Sequence, residues 1–214
     1  MGGRRFDEMK VLLINGGPHK NGATNRALTE IAQTLQTEGI ESEIFWLGNE
    51  PIAGCIGCGA CRKTGECFRG DVVNKFSSIA GEFDGFVFGS PVHYAAASGA
   101  LSSFMDRAFF SCGSKLYMKP AAAVVSCRRG GATAAFDEIN KYFTINCMPV
   151  VSSQYWNQIH GSNAEEAEKD EEGLQTMRTL AKNMAYMLKC FEAGKNAGIN
   201  PPEKEATVRT NFIR

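Results

Sequence analysis

Blocks of continuous apolar sequence alternate along this chain with stretches whose apolar residues recur every three or four positions. Residues 11–15 (VLLIN) form a short apolar run that stops at Gly16-Gly17-Pro18, which reads as a strand entering a tight loop. Residues 24–38 place Leu28, Ile31, Ala32 and Leu35 on one face, which predicts a helix closed by Gly39. Residues 42–47 predict a second strand, and a long cysteine-rich loop follows. Residues 71–81 predict a helix, 85–89 a short buried strand, 98–110 a helix, 121–126 a strand and 132–143 a helix. Residues 148–152 are expected to be the fifth strand, and 164–193 one long helix. Glu165, Glu166, Glu168, Asp170, Glu171 and Glu172 crowd the start of that helix, where the dipole favours acids, and read as a solvated face.

Five strands alternating with helices imply a parallel sheet covered on both faces. The expected architecture is an α/β three-layer sandwich of the flavodoxin-like kind, a five-stranded parallel sheet in the order 2-1-3-4-5. Such sheets bind ligands beyond the carboxyl ends of their strands. The loops after strands one, three and four, residues 16–24, 90–98 and 126–131, are expected to meet over one pocket. The chain divides into an arm at 1–9, one domain at 10–195 with its cysteine-rich loop at 54–70, and a tail at 196–214.

The first loop joins a strand to a helix N-terminus, where backbone N–H groups and the positive dipole end converge on one point. Residues 17–24 have the spacing of a nucleoside triphosphate loop, but Ala23 stands where the phosphate-binding lysine belongs. A dinucleotide G-x-G-x-x-G is also missing, because Pro18 occupies the second glycine position. A monophosphate cradle remains, with His19, Asn21, Thr24 and Asn25 as its polar side chains; the plain alternative is an ordinary βα turn with a helix cap.

In the second loop Pro91 stiffens the backbone ahead of Val92, His93 and Tyr94, beside the small run at 95–97. A flat aromatic ligand suits this place. His93 reads as a pocket-rim histidine more readily than as a catalytic one. In the third loop Gly130 and Gly131 permit close backbone approach. Arg128 and Arg129 beside Cys127 can pair with a phosphate; alone they would be surface charges.

Composition narrows the classes of partner. Of 214 residues, 43% are hydrophobic and 21% charged, and Lys+Arg balance Asp+Glu at 23 each, so no field points to nucleic acid. No apolar stretch is long enough to span a membrane. The opening MGGRRFDEM lacks the apolar middle of a secretory signal, so the expected compartment is the cytoplasm.

The segments NGGPHKNGATNRAL, FGSPVHYAAASGALSSFMDR and SCRRGGA, in this order and spacing, resemble the NAD(P)H-dependent FMN reductase group of flavodoxin-like proteins. The ending TNFIR is also similar. The first loop departs from the common G-S-P-R-x-x-x-N-T by Gly17, His19 and Ala23. The resemblance implies FMN as cofactor, its phosphate held by Gly17, Pro18, His19, Asn21, Thr24 and Asn25. Its ring would contact Pro91, Val92, His93 and Tyr94, and residues Cys127, Arg128, Arg129, Gly130 and Gly131 would cover the ring edge. It also implies a homodimer or homotetramer.

Cys55, Cys58, Cys61 and Cys67 put four thiols on one loop. A tight C-x2-C-x2-C run can supply three corners of a [4Fe–4S] cube from one turn of chain. Zinc prefers two separated pairs. Free or reversibly oxidised thiols, zinc and a structural disulfide stay open beside the cluster. Within the group the run resembles the iron–sulfur flavoproteins, which implies a cluster exchanging electrons with the flavin. The expected activity is transfer of electrons from NAD(P)H through FMN to a small acceptor (a quinone, azo or nitro compound, or free flavin) in a ping-pong cycle, with the flavin rather than a side chain carrying the chemistry. The alternatives are an electron carrier reduced by a ferredoxin-like protein and a flavin-free thiol or metal module.

Overall fold

The computed structural model describes residues 8–208 and 210. Most of the expected arm at 1–9, and the ending from Asn211, lie outside the described residues. The strands are β1 (Lys10–Asn15), β2 (Glu41–Trp46), β3 (Gly85–His93), β4 (Ala96–Ala97), β5 (Ala121–Cys127) and β6 (Gln158–His160). The helices are α1 (Ala23–Thr37), α2 (Cys61–Thr64), α3 (Val72–Ile79), α4 (Gly99–Leu116), α5 (Ala132–Ile145), α6 (Ala164–Ala167) and α7 (Glu171–Asn196). Five strands run parallel in the order β2-β1-β3-β5-β6, and the short β4 folds back antiparallel on β3.

The alternation of side chains along β1 explains the layers. Leu12 and Ile14 enter one core with Phe76, Phe86, Phe88 and Phe104, under α3, α4 and α5. Val11 and Leu13 enter the other, with Leu28, Ile31, Leu180 and Met184 of α1 and α7. β5 is buried at every residue, as a strand covered on both faces must be. Gly89 of β3 lets α1 approach, since a Cβ there would lie 2.9 Å from Thr24 Cγ2.

Three expectations are corrected. The fifth parallel strand is Gln158–His160, not 148–152. Pro149 has no N–H to give a ladder, and only the bridge Ala121↔Val150 forms there. The helix expected at 164–193 is two helices. Asp170 interrupts it and accepts a hydrogen bond from Gly173 N at 2.9 Å, so an acid of the supposed solvated face is the cap of α7. Helix α4 also continues past 110 to Leu116, with a non-helical kink at the buried Cys112.

Candidate functional site

The carboxyl ends of β1, β3 and β5 and the segment after β6 enclose a cavity of about 450 Å³. That is the size of small-ligand pockets, and it lies at the switch point of the strand order. Its first wall is the loop after β1. The buried Asn15 accepts from Gly17 N at 3.0 Å and donates to Lys20 O at 3.2 Å. Trp46 Nε1 donates to Gly17 O at 2.9 Å, and Ser98 Oγ donates to Gly16 O at 2.8 Å. Four hydrogen bonds from three residues thus hold the loop.

Helix α1 then begins at an N-cap, Gly22, that offers no side-chain acceptor. Asp71, Ser98, Asn163 and Asp170 each cap their helices through a side-chain oxygen. The first-turn N–H groups of α1 therefore face the cavity without a capping partner, in the position that binds anions. Beneath them the buried hydroxyls of Thr24 and Ser126 are hydrogen-bonded at 2.8 Å.

The second wall is the β3–β4 hairpin. Val92 pairs with Ala97 and His93 with Ala96, so Tyr94 and Ala95 form a two-residue turn with φ of 51° and 59°. Non-glycine residues there cost about 1–2 kcal/mol each. Glu138 of α5 holds the hairpin, accepting from Ala97 N at 2.9 Å and from Ser102 Oγ at 3.0 Å. The turn carries Tyr94 fully into solvent.

Of the residues expected from sequence, Gly17, Pro18, His19, Asn21, Thr24, Pro91, Val92, His93, Cys127 and Arg128 line the cavity. Asn25 stands behind the loop, its side chain 3.4 Å from Asn15 Nδ2. Tyr94, Arg129, Gly130 and Gly131 lie outside the lining; Gly131 is the uncapped start of α5, packed against Ala95. Sequence reasoning missed the segment Gly161, Ser162, Asn163, Ala164 and Glu165, which also lines the cavity. A capping box was the available signal: Asn163 Oδ1 accepts from Glu166 N, and Glu166 reaches back to Ser162 N at 2.7 Å. That backbone hydrogen bond holds the Glu166 carboxyl below its ordinary pKa.

The four cysteines of the long loop surround a second, much smaller cavity of about 40 Å³, with Arg107 at its base. Arg107 is 2% exposed. It forks onto Asp71 at 2.6 and 2.8 Å and places Nε and Nη2 each 3.2 Å from Cys67 Sγ. Burial acts first on Asp71 and would raise its pKa, but the Arg107 hydrogen bonds outweigh it and hold the carboxyl below its ordinary value. Among the described residues no three His, Cys, Asp or Glu side chains are gathered into a metal-holding group. Four thiols on one loop are a donor set that fits a four-iron cluster. Gly54, Gly57, Gly59 and Gly65 have open space around them, so the sulfurs can converge without displacing packed atoms.

Comparison with known proteins gives a consistent answer. Residues 9–162 match the NADPH-dependent FMN reductase family. An iron-sulfur flavoprotein of Methanocaldococcus jannaschii is 33% identical over 86% of this chain and all of its own length. RosB, solved with a bound 8-demethyl-8-formylriboflavin-5'-phosphate, superposes with a TM-score of 0.68 over 96% of this chain and 92% of its own, at 15% identity. A flavodoxin from the domain Archaea gives 0.58 over 85% and 99%, also at 15%. Among the described residues no helix is long and apolar enough to cross a membrane. The chain belongs to the NADPH-dependent FMN reductase family of flavin oxidoreductases, in its iron–sulfur flavoprotein branch.

Proposed function

We propose that the large cavity binds FMN and that the protein passes electrons from NAD(P)H to a small quinone, azo, nitro or flavin acceptor. One observation carries this reading: the N-terminus of α1, which lacks a side-chain cap, opens on a cavity of ligand size. The phosphate would lie on the N–H groups of Ala23 and Thr24, with His19 and Asn21 at its rim. The hairpin at Pro91, Val92 and His93 would meet the ring, and Cys127 and Arg128 would close its edge. FMN, when bound, supplies two-electron hydride chemistry and one-electron transfer. The protein's part is to orient the ring through a wall fixed beforehand and to leave the exposed side of the hairpin open to donor and acceptor.

A second reading has its own support. The four cysteines line one cavity over a buried guanidinium. A [4Fe–4S] cluster on Cys55, Cys58, Cys61 and Cys67 would make the protein an electron carrier served by a ferredoxin-like donor, with the pyridine nucleotide dispensable. Arg107 stands nine residues along α4 from Ser98, which holds the loop after β1, about 14 Å of helix rise. Protein purified under argon separates the readings. The first expects bound FMN that NADPH bleaches within the turnover time. The second expects four irons' worth of iron and sulfide, and flavin that NADPH leaves oxidised. A colourless chain that ignores added FMN contradicts both.

A further inference from the structure

Cys127 and His160 end neighbouring parallel strands and are partners in register, so their side chains leave the sheet on the same face. Cys127 Sγ lies 3.5 Å from His160 Nδ1. The thiol, 5% exposed, lines the large cavity. The imidazole lines a separate cavity of about 140 Å³ with Asp170 and Glu172. The two cavities share no lining residue, and the sulfur–nitrogen contact is what joins them. The backbone holds both groups in place: His160 N donates to Asp170 Oδ2 at 2.6 Å, and Gly161 N donates to Cys127 O at 3.0 Å.

We propose that Cys127 and His160 form a proton relay between water in the small cavity and an acceptor stacked on the flavin at the mouth of the large one. The proposal rests on the oxidoreductase reading above. Reducing a quinone to a hydroquinone takes two electrons and two protons; a hydride carries both electrons and one proton. The second proton leaves Cys127 as its S–H bond breaks and the acceptor O–H bond forms. The resulting thiolate takes the Nδ1 proton of His160 as Nε2 accepts one from a water, whose hydroxide leaves to solvent, so that no imidazolate forms. Cys127 is the donor; His160 acts through it as the reloading, positioning residue.

The state of the thiol agrees with this role. Burial is the main influence on Cys127 and pushes its thiol up, the backbone N–H of Arg129 opposes it, and Asp170 adds to the rise. The group is therefore S–H at neutral pH, as a donor requires. A free thiolate nucleophile would need the opposite shift. His19, His93, Arg128 and Glu165 stand around the large cavity and Asp170 and Glu172 around the small one, so single-residue variants decide the matter rather than one pH profile.

The test uses the full chain in two forms. In the flavin-free protein, iodoacetamide labelling of Cys127 is followed against pH by peptide mass spectrometry. The relay predicts two inflections, and a single inflection in His160→Gln. Added FMN should protect Cys127 and leave the exposed Cys147 and Cys190 unchanged. In the FMN-loaded protein with a quinone acceptor, Cys127→Ala should lower kcat by roughly 10²-fold and flatten its pH profile, with partial recovery in Cys127→Ser. One inflection in both flavin-free proteins, or wild-type turnover and pH profile in Cys127→Ala, overturns the relay. Failure of the flavin reading looks different: FMN then protects no cysteine, while the two-inflection profile of the flavin-free chain persists.

Discussion

Two loops of this protein carry its candidate redox groups, and they are built in opposite ways. Residues 16–22 are tied to Asn15, Trp46, Gly89 and Ser98 before any ligand arrives. Residues 54–70 are tied mainly toward their end, where Cys67 exchanges hydrogen bonds with Asn74 and receives Arg107, with one weak thiol contact from Cys61 to Phe110 O at 3.7 Å. Gly57, Gly59 and Gly65 have positive φ with nothing packed around them. The difference separates two ways of making a site. A phosphate cradle consists of backbone dipoles whose value lies in being fixed in advance. A cluster of thiols supplies its binding energy when the metal arrives, so the loop can stay loose until then.

The strongest way to sharpen the contrast is to remove the buried guanidinium beneath the cysteine loop. Arg107→Leu leaves Asp71 without its partner and is expected to cost about 3 kcal/mol in urea unfolding, the lower end for a broken buried pair because Asp71 is partly exposed. FMN affinity should not change. If it falls along with stability, the two regions are not independent.

The next effect belongs to the cradle. Gly22→Asp fits the extended backbone at φ −83° and supplies the missing cap. It puts a carboxylate where the phosphate would lie, so FMN binding should weaken roughly tenfold to a hundredfold by fluorescence titration. Stability should change by only a few tenths of a kcal/mol, since glycine and aspartate caps differ by about that much. Unaltered affinity would mean the phosphate is held elsewhere.

Trp46→Phe keeps the ring and deletes the hydrogen bond to Gly17 O. A loss of about 1 kcal/mol in unfolding free energy is expected, with a few-fold weaker FMN affinity from the slackened loop.

The smallest expected effect is on pH dependence. Asp71 is held below its ordinary 3.8, so the unfolded chain binds its proton more readily than the folded one. Its contribution is complete above pH about 4 and is lost as pH falls through the depressed folded value. Asp71→Asn should therefore flatten the acid limb of the stability curve and leave the neutral region parallel to wild type. A steeper acid limb in the variant would contradict the pairing with Arg107.

The central strands were legible because burial on both faces demands unbroken apolar runs such as KVLLIN and AAAVVSC. The last strand was not. MPVVS is the more apolar segment, yet Pro149 limits it to a bridge, and the weakly patterned QIH forms the ladder along Val125–Cys127. Hairpin β4 was also hidden: its turn uses Tyr94 and Ala95 where glycine or asparagine would have signalled it. Ten of the expected cavity residues were found because loops after parallel strands converge in this topology. Those after β6 were lost with the misplaced strand. His160 was lost too, since its proximity to Cys127 depends on the β5–β6 register.

Independence of the two sites is tested most directly by titrating FMN into iron-free protein in which Cys55, Cys58, Cys61 and Cys67 are all replaced by serine. A cradle held by Asn15, Trp46 and Ser98 predicts one FMN per chain with wild-type affinity. Loss of FMN binding in a variant that still unfolds cooperatively would contradict it.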